Sequence, residues 1–587
     1  MSKHLSVALL VAGALITLPC AARADDKPAW IARSDQYTQQ LLQTEAQFNP
    51  ESAAQAGLEQ FDGKALDLGP NLSQRLIAAE QKQRAAFVAA GASESDPQVK
   101  QDLQILLNSI DRTVEGTQLS DQLLLNWIDV PQLVFGNLNP ALDSQIGPAR
   151  QAKAKELLER YTGLYPGTTP LTELAKARWN ESLGAGKAGP FKGSVEDTLG
   201  KTETYIAGIH QLFAKAKIAG ADKALAVLDR QLRDYAAWEK ANVLPKARAD
   251  FRQPPAIYAY QLKVYGIDLP PEQLIARARR GFYDTRTQME ALAPQVARKL
   301  GLAKTDYPSV IAELKKDKIP DNQLESYYSG VLGQIDATIA REHLISRPDF
   351  PVLMRLGTPA ENAQQPAPHM QPPRMIGNTG ERGQFVLGTG NPSAGPDAAF
   401  DDFNFKAAAW TLSAHEARPG HELQFAQMIA RGVSQARALY AFNSTNAEGW
   451  GLYAEAEFQP YEPIEGQLIA LQFLLLRESR AMLDPMLNLG QMTPDQAGKW
   501  LREKVGLSPA MTKQEVDRYT FRMPGQAGSY YFGYGQLADL RVATELALGD
   551  KFYRKAFNDF VVGQGLLPLN LLAQAVREKF IPAQLAK

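Results

Sequence analysis

The chain has 587 residues, 45% hydrophobic and 22% charged, with 63 basic against 64 acidic side chains. That profile belongs to a globular protein and excludes a disordered tail or a collagen-like repeat. A formal net charge of -1 excludes the basic face that nucleic acid calls for, and the length is enough to bury a large core.

Residues 1–24 read as a secretory signal peptide: Lys3-His4, an apolar run over 5–18, then the small-x-small site Ala22-Arg23-Ala24 ahead of Asp25. The run is shorter than the roughly 20 apolar residues a membrane span needs. A lipidated cysteine would follow a small residue, whereas Cys20 follows Pro19. Cleavage after Ala24 is therefore expected. It removes the only cysteine, leaving a chain with no disulfide and no thiol nucleophile. The mature protein is expected to be periplasmic or secreted, with no membrane association.

Apolar residues recur at helical spacing over 45–60, 150–164, 271–300, 321–343, 466–487 and 526–548. Pro271 with Glu272, and Ser194 ahead of Glu196 and Asp197, are helix-start signals. Strand-like alternation is scarce, and no repeat of solenoid length is apparent. The expected fold is mainly α: one large, irregular helical domain over 25–587, with a division into lobes 25–250 and 251–587 as the alternative. The segment 181–193 reads as a surface loop. Residues 358–403 hold seven prolines and six glycines; a structureless insert of that length is usually functional. Its strand-like run at 384–387 is expected to be either an edge strand offering free backbone groups to a peptide or an ordinary surface excursion.

The chemistry concentrates after Trp410. His415 and Glu416 are adjacent, and His421 follows six residues later. Zinc favours imidazole nitrogens and carboxylate oxygens, with an open position when the site is catalytic. In the HExxH pattern two histidines hold the metal and the glutamate takes a proton from water. Six residues on a straight helix turn about 600°, about 120° short of two turns, so His415 and His421 could not meet. Pro419 removes an amide and clashes with the preceding turn, while Gly420 permits backbone angles closed to other residues. The bend thus falls where one is required. Further on, 444–458 reads as a helix capped by Asn443 or Ser444. Glu448 and Glu455 share one face of it, so one is expected to ligate and the other to orient a histidine. Gly449 is expected to allow close approach to the metal. His210, His343 and His369 lack acidic companions at ligand spacing and read as structural, with His369 the most plausible exception.

The blocks His415-Glu416-x-x-Pro419-Gly420-His421-x-Leu423-Gln424 and Glu448-Gly449-Trp450-x-Leu452-Tyr453-Ala454-Glu455 resemble the bacterial domain-of-unknown-function family 885. A third block agrees, from Glu515-Val516-x-Arg518-Tyr519 through Pro524-Gly525-Gln526-Ala527-x-Ser529-Tyr530 to Leu540-Arg541, and so does Gly383-Gln384-Phe385 followed by Asn391-Pro392. More distantly the chain is similar to the helical gluzincin peptidases, such as carboxypeptidase Taq and thimet oligopeptidase. That resemblance implies a deep cleft, a small β element beside the active-site helix, and one Zn2+ per chain held by His415, His421 and Glu448. It further implies Glu416 as general base and Tyr530 as oxyanion donor, with Arg518 or Tyr519 as helper.

The leading expectation is a zinc-dependent peptidase acting on short peptides. The alternatives are a metal-dependent amidase on a non-peptide or cell-wall-derived amide, and a non-catalytic binding protein with a vestigial metal site. A fold does not fix the substrate.

Overall fold

Residues 28–390 and 400–587 are described by the computed structural model. The expected leader with Cys20, and the Asn391-Pro392 pair, lie outside the described residues.

Helices build nearly all of it, so the mainly α expectation holds. The longest, Pro271–Leu300, starts on Pro271 and stops at Gly301, whose φ of 68° suits a residue without Cβ. It packs along Ile464–Asn488, which is buried on almost every side. A helix with apolar residues all round belongs in the core, and this one carries Leu468, Ile469, Leu475 and Leu483 into it. Helix Ser444–Phe458 packs in turn on Ser529–Leu548, where Gly449 meets Gly533 so closely that a Cβ on Gly449 would lie 2.6 Å from the Gly533 carbonyl carbon. Gly449 therefore serves helix packing, not approach to a metal.

One core cluster extends from Leu41 to Phe580. A second joins helices between Val130 and Tyr235 and includes Ala360 and Ala363. Two helix boundaries also need correction. The stretch 45–60 is not one helix: Ala29–Glu45 ends, and Pro50–Ala56 restarts with the Asn49 side chain accepting from the Ser52 amide. Ser194 is not a cap, because Lys192–Ala216 begins two residues earlier and its hydroxyl donates to the Phe191 carbonyl.

The segment 358–403 is not structureless. It contributes helix Pro359–Gln364, started by a Thr358–Glu361 capping box, and strands β2 (His369–Gln371) and β3 (Gln384–Leu387). With β1 (Leu353–Leu356) they form a sheet of order β1-β3-β2, β1 parallel and β2 antiparallel to β3. The 384–387 run is thus the buried central strand, with partners on both sides and no backbone free for a peptide. β2 is the edge strand nearest the site.

Candidate metal centre

Helix Ala408–Glu416 ends at Glu416 and helix His421–Arg431 begins at His421. The bend between them is held from three sides. A Cβ on Gly420 would overlap the His415 carbonyl, so only glycine fits. The Trp450 indole N–H donates to the carbonyls of Pro419 (3.1 Å) and Gly420 (3.2 Å), the second of which also accepts from the Gln424 amide that opens the next helix. Arg418 is completely buried and donates to Glu422 (2.8 Å), Asp336 (2.9 Å) and the Phe350 carbonyl (2.8 Å). A buried guanidinium with its donors met is a rigid anchor, and this one ties the bend to helix Leu324–Arg341.

The bend brings the two imidazoles together, with ring centroids 4.7 Å apart at 82°. Glu448 comes from helix Ser444–Phe458, capped by Asn443, whose side chain accepts from the Asn446 amide. Its Oε2 lies 3.4 Å from His415 Nε2 and 3.3 Å from His421 Nε2. One ligand atom from each of the three falls within 4.8 Å of the others. Glu455, two turns along the same helix, sits 2.7 Å from His415 Nδ1. It also accepts from Thr411 (3.0 Å) and Arg477 (3.3 Å). The two glutamates thus divide the roles that spacing left open: Glu448 meets the converging nitrogens and Glu455 fixes the far side of one ring. Gly451 makes room for that ring, since a Cβ there would lie 2.5 Å from His415 Cε1.

These residues fit a divalent cation. Glu448 Oε2 is buried and makes no hydrogen bond of good geometry; its neighbours are the two imidazole nitrogens at 3.4 and 3.3 Å, an arrangement that a cation held between the three groups would satisfy. Two imidazoles and one carboxylate are the donor set of catalytic zinc, and a structural site would want a fourth ligand.

A cavity of about 150 Å³ opens on the cluster, lined by His415, Glu416, His421, Glu448 and Tyr530. His369, from β2, lines it too. Its Nδ1 lies 3.1 Å from the Ala367 carbonyl, and burial pushes its pKa down, so it is neutral with Nε2 as acceptor. His369 is therefore a cavity residue outside the cluster of His415, His421 and Glu448. A larger cavity of about 530 Å³ beyond Gln371 and Gln384 has no histidine in its walls.

Tyr530 lies with its ring nearly parallel to His415, centroids 6.2 Å apart. Burial, reinforced by the Glu448 carboxylate, pushes its phenol up, so the hydroxyl keeps its proton and can donate. Arg518 Nη1 reaches that hydroxyl at 3.3 Å. Tyr519 is placed elsewhere: fully buried, outside the cavity wall, its hydroxyl donates to Glu515 at 2.6 Å. It braces Arg480 through Glu515, which holds that arginine at 2.8 and 2.7 Å, and it does not line the cavity.

Sequence reasoning missed Arg477 and Arg480, which line the cavity from helix Ile464–Asn488. Their signal was present, as Arg477-Glu478-x-Arg480 interrupts an otherwise apolar run.

The profile of a bacterial protein family of unknown function, DUF885, matches residues 50–576. Two solved structures share the fold. A putative lipoprotein from Colwellia psychrerythraea aligns with a TM-score of 0.73 at 19% identity, covering 94% of this chain and 99% of its own. Another, of unknown function, from Shewanella oneidensis, aligns with a TM-score of 0.69 at 16% identity, covering 94% and 100%. No curated protein matches the sequence.

Proposed function

The chain belongs to the bacterial family of unknown function DUF885, and from the site itself we propose that it is a metal-dependent hydrolase, a zinc metallopeptidase acting on short peptides. The carrying observation is the convergence of His415 Nε2, His421 Nε2 and an otherwise unpartnered Glu448 Oε2, with Glu416 on the same small cavity.

A bound zinc ion supplies Lewis acidity, polarising a carbonyl and acidifying water. The remaining work belongs to this chain's side chains. Glu416, next to the first ligand, accepts the proton of the attacking water and returns it to the departing amine. Tyr530 donates to the carbonyl oxygen as it gains negative charge, and Arg518 behind it strengthens that donor. His369 offers an acceptor to a substrate amide. The cavity is small, about 150 Å³, which favours short, flexible substrates over folded proteins.

The leader-like N-terminus and the lipoprotein descriptions of both similar structures support work outside the cytoplasm, in the periplasm or beyond it. Among the described residues no helix is long and apolar enough to cross a membrane.

The test is hydrolysis of a short-peptide library by the purified, zinc-loaded protein. Cleavage that stops with a chelator and in Glu416→Gln supports the proposal. Cleavage that survives both overturns it.

A further inference from the structure

Three arginines line the cavity, and two of them are neutralised. Arg477 pairs with Glu455 at 3.3 Å, and Arg480 pairs with both oxygens of Glu515. Arg518 is different. Its guanidinium has no carboxylate in ion-pair range among the described residues and makes two long bonds, 3.3 Å each, to Gln526 Oε1 and Tyr530 Oη. A guanidinium carries five donors in a fork that matches a carboxylate, so most of this one is unspent.

Its position is informative. Arg518, Glu448 and Tyr530 line both the catalytic cavity and an adjoining chamber of about 370 Å³. The chamber's own arginine, Arg522, is taken by Asp197 at 3.2 Å, and Asp197 also holds Lys201 at 2.6 Å. Arg518 is thus the cation left over where the two spaces meet. Nη1 lies 3.3 Å from the hydroxyl assigned to the scissile carbonyl, and one extended residue spans about 3.3–3.6 Å.

We propose that Arg518 receives the α-carboxylate of the substrate one residue beyond the scissile bond, so that the enzyme removes single residues from the C-termini of peptides. The proposal rests on the hydrolase reading above and adds its direction and specificity. The departing residue's side chain has room in the chamber, beside Trp127 and Phe521.

The experiment compares benzoyl-Gly-Phe carrying a free carboxylate with its C-terminal amide, using zinc-loaded wild type, Arg518→Gln and Arg518→Lys. Thermal unfolding checks that each variant folds. Wild type is expected to favour the acid by about 30-fold or more in kcat/KM, the size of a charge-assisted bond. Arg518→Gln should make acid and amide equal, with both slowed by the lost support of Tyr530, and Arg518→Lys, which keeps the charge without the fork, should show an intermediate ratio. A second readout is calorimetric binding of both compounds to Glu416→Gln, which should favour the acid by a similar factor and lose that preference when Arg518→Gln is added. Hydrolysis of acid and amide at equal rates by wild type overturns the carboxylate assignment and leaves the peptidase reading standing. Absence of hydrolysis of any peptide overturns the peptidase reading, and the binding preference then decides the carboxylate site alone. Equal binding of acid and amide overturns it. If Arg518→Gln does not fold, Arg518→Lys and the wild-type ratio carry the decision.

Discussion

Glu455 approaches His415 at Nδ1, 2.7 Å away, while Glu448 approaches the same ring at Nε2. A carboxylate behind an imidazole fixes its tautomer and orientation and makes the free nitrogen more basic, and removing such a partner costs 10- to 100-fold in metal affinity. Glu455→Gln is therefore expected to weaken zinc binding by about 10- to 100-fold, read by competition with a chelating dye. Unchanged affinity would remove Glu455 from the site.

Gly451 leaves no space for a side chain against His415. Gly451→Ala should push the ring out of line, destabilise the fold by about 1–3 kcal/mol and lower zinc occupancy. Denaturant unfolding and metal analysis of the same sample check both effects. An alanine tolerated in both would mean that the ring has slack the packing does not suggest.

Tyr530→Phe keeps the ring beside His415 and removes only the hydroxyl. Loss of an oxyanion donor costs about 100- to 1,000-fold in kcat, with KM little changed because the bond matters most in the transition state. Steady-state kinetics on any cleaved peptide decides this, and a wild-type kcat would reassign the phenol to packing.

Away from the site, Glu80 is wholly buried and neither oxygen has a partner. Burial, then the neighbouring Glu45, lifts it from 4.5 to about 8; burial lifts Glu45 to about 7 against the bond from Tyr440. Folded-state values above the unfolded ones mean that the native state binds more protons. Their stabilising effect is complete below about pH 4.5 and is lost as pH rises through 7 and 8. Glu80→Gln should then raise stability at pH 8 by about 1–3 kcal/mol, with the gain shrinking toward pH 5. Thermal melts of both proteins across that range test it, and a pH-independent difference would contradict it.

The cluster of His415, His421 and Glu448 was largely legible because its ingredients are local. His415, Glu416 and His421 lie within seven residues, and Pro419-Gly420 marks the bend that their spacing demands. Helix periodicity placed Glu448 and Glu455 on one face, but only the fold says which nitrogen each one meets. Long-range pairing was not legible. Sequence leaves β3 as either an edge strand or a surface excursion, because its partners, Leu353–Leu356 and His369–Gln371, are short and lack alternation, so nothing local announces them. Gly449 and Gly451 look equivalent in sequence, yet one faces Gly533 and the other His415. Tyr519 and Arg518 are neighbours in the chain, but a helix turns adjacent residues about 100° apart, which sends the first to Glu515 and leaves the second on the cavity.

Elemental analysis of the purified mature protein tests the central claim most directly, with Glu416→Gln and Glu448→Ala measured beside wild type after equal exposure to zinc. About one zinc per chain is expected in wild type and Glu416→Gln, and almost none in Glu448→Ala. A wild-type protein that holds no metal, or a Glu448→Ala protein that holds as much as wild type, would contradict the account.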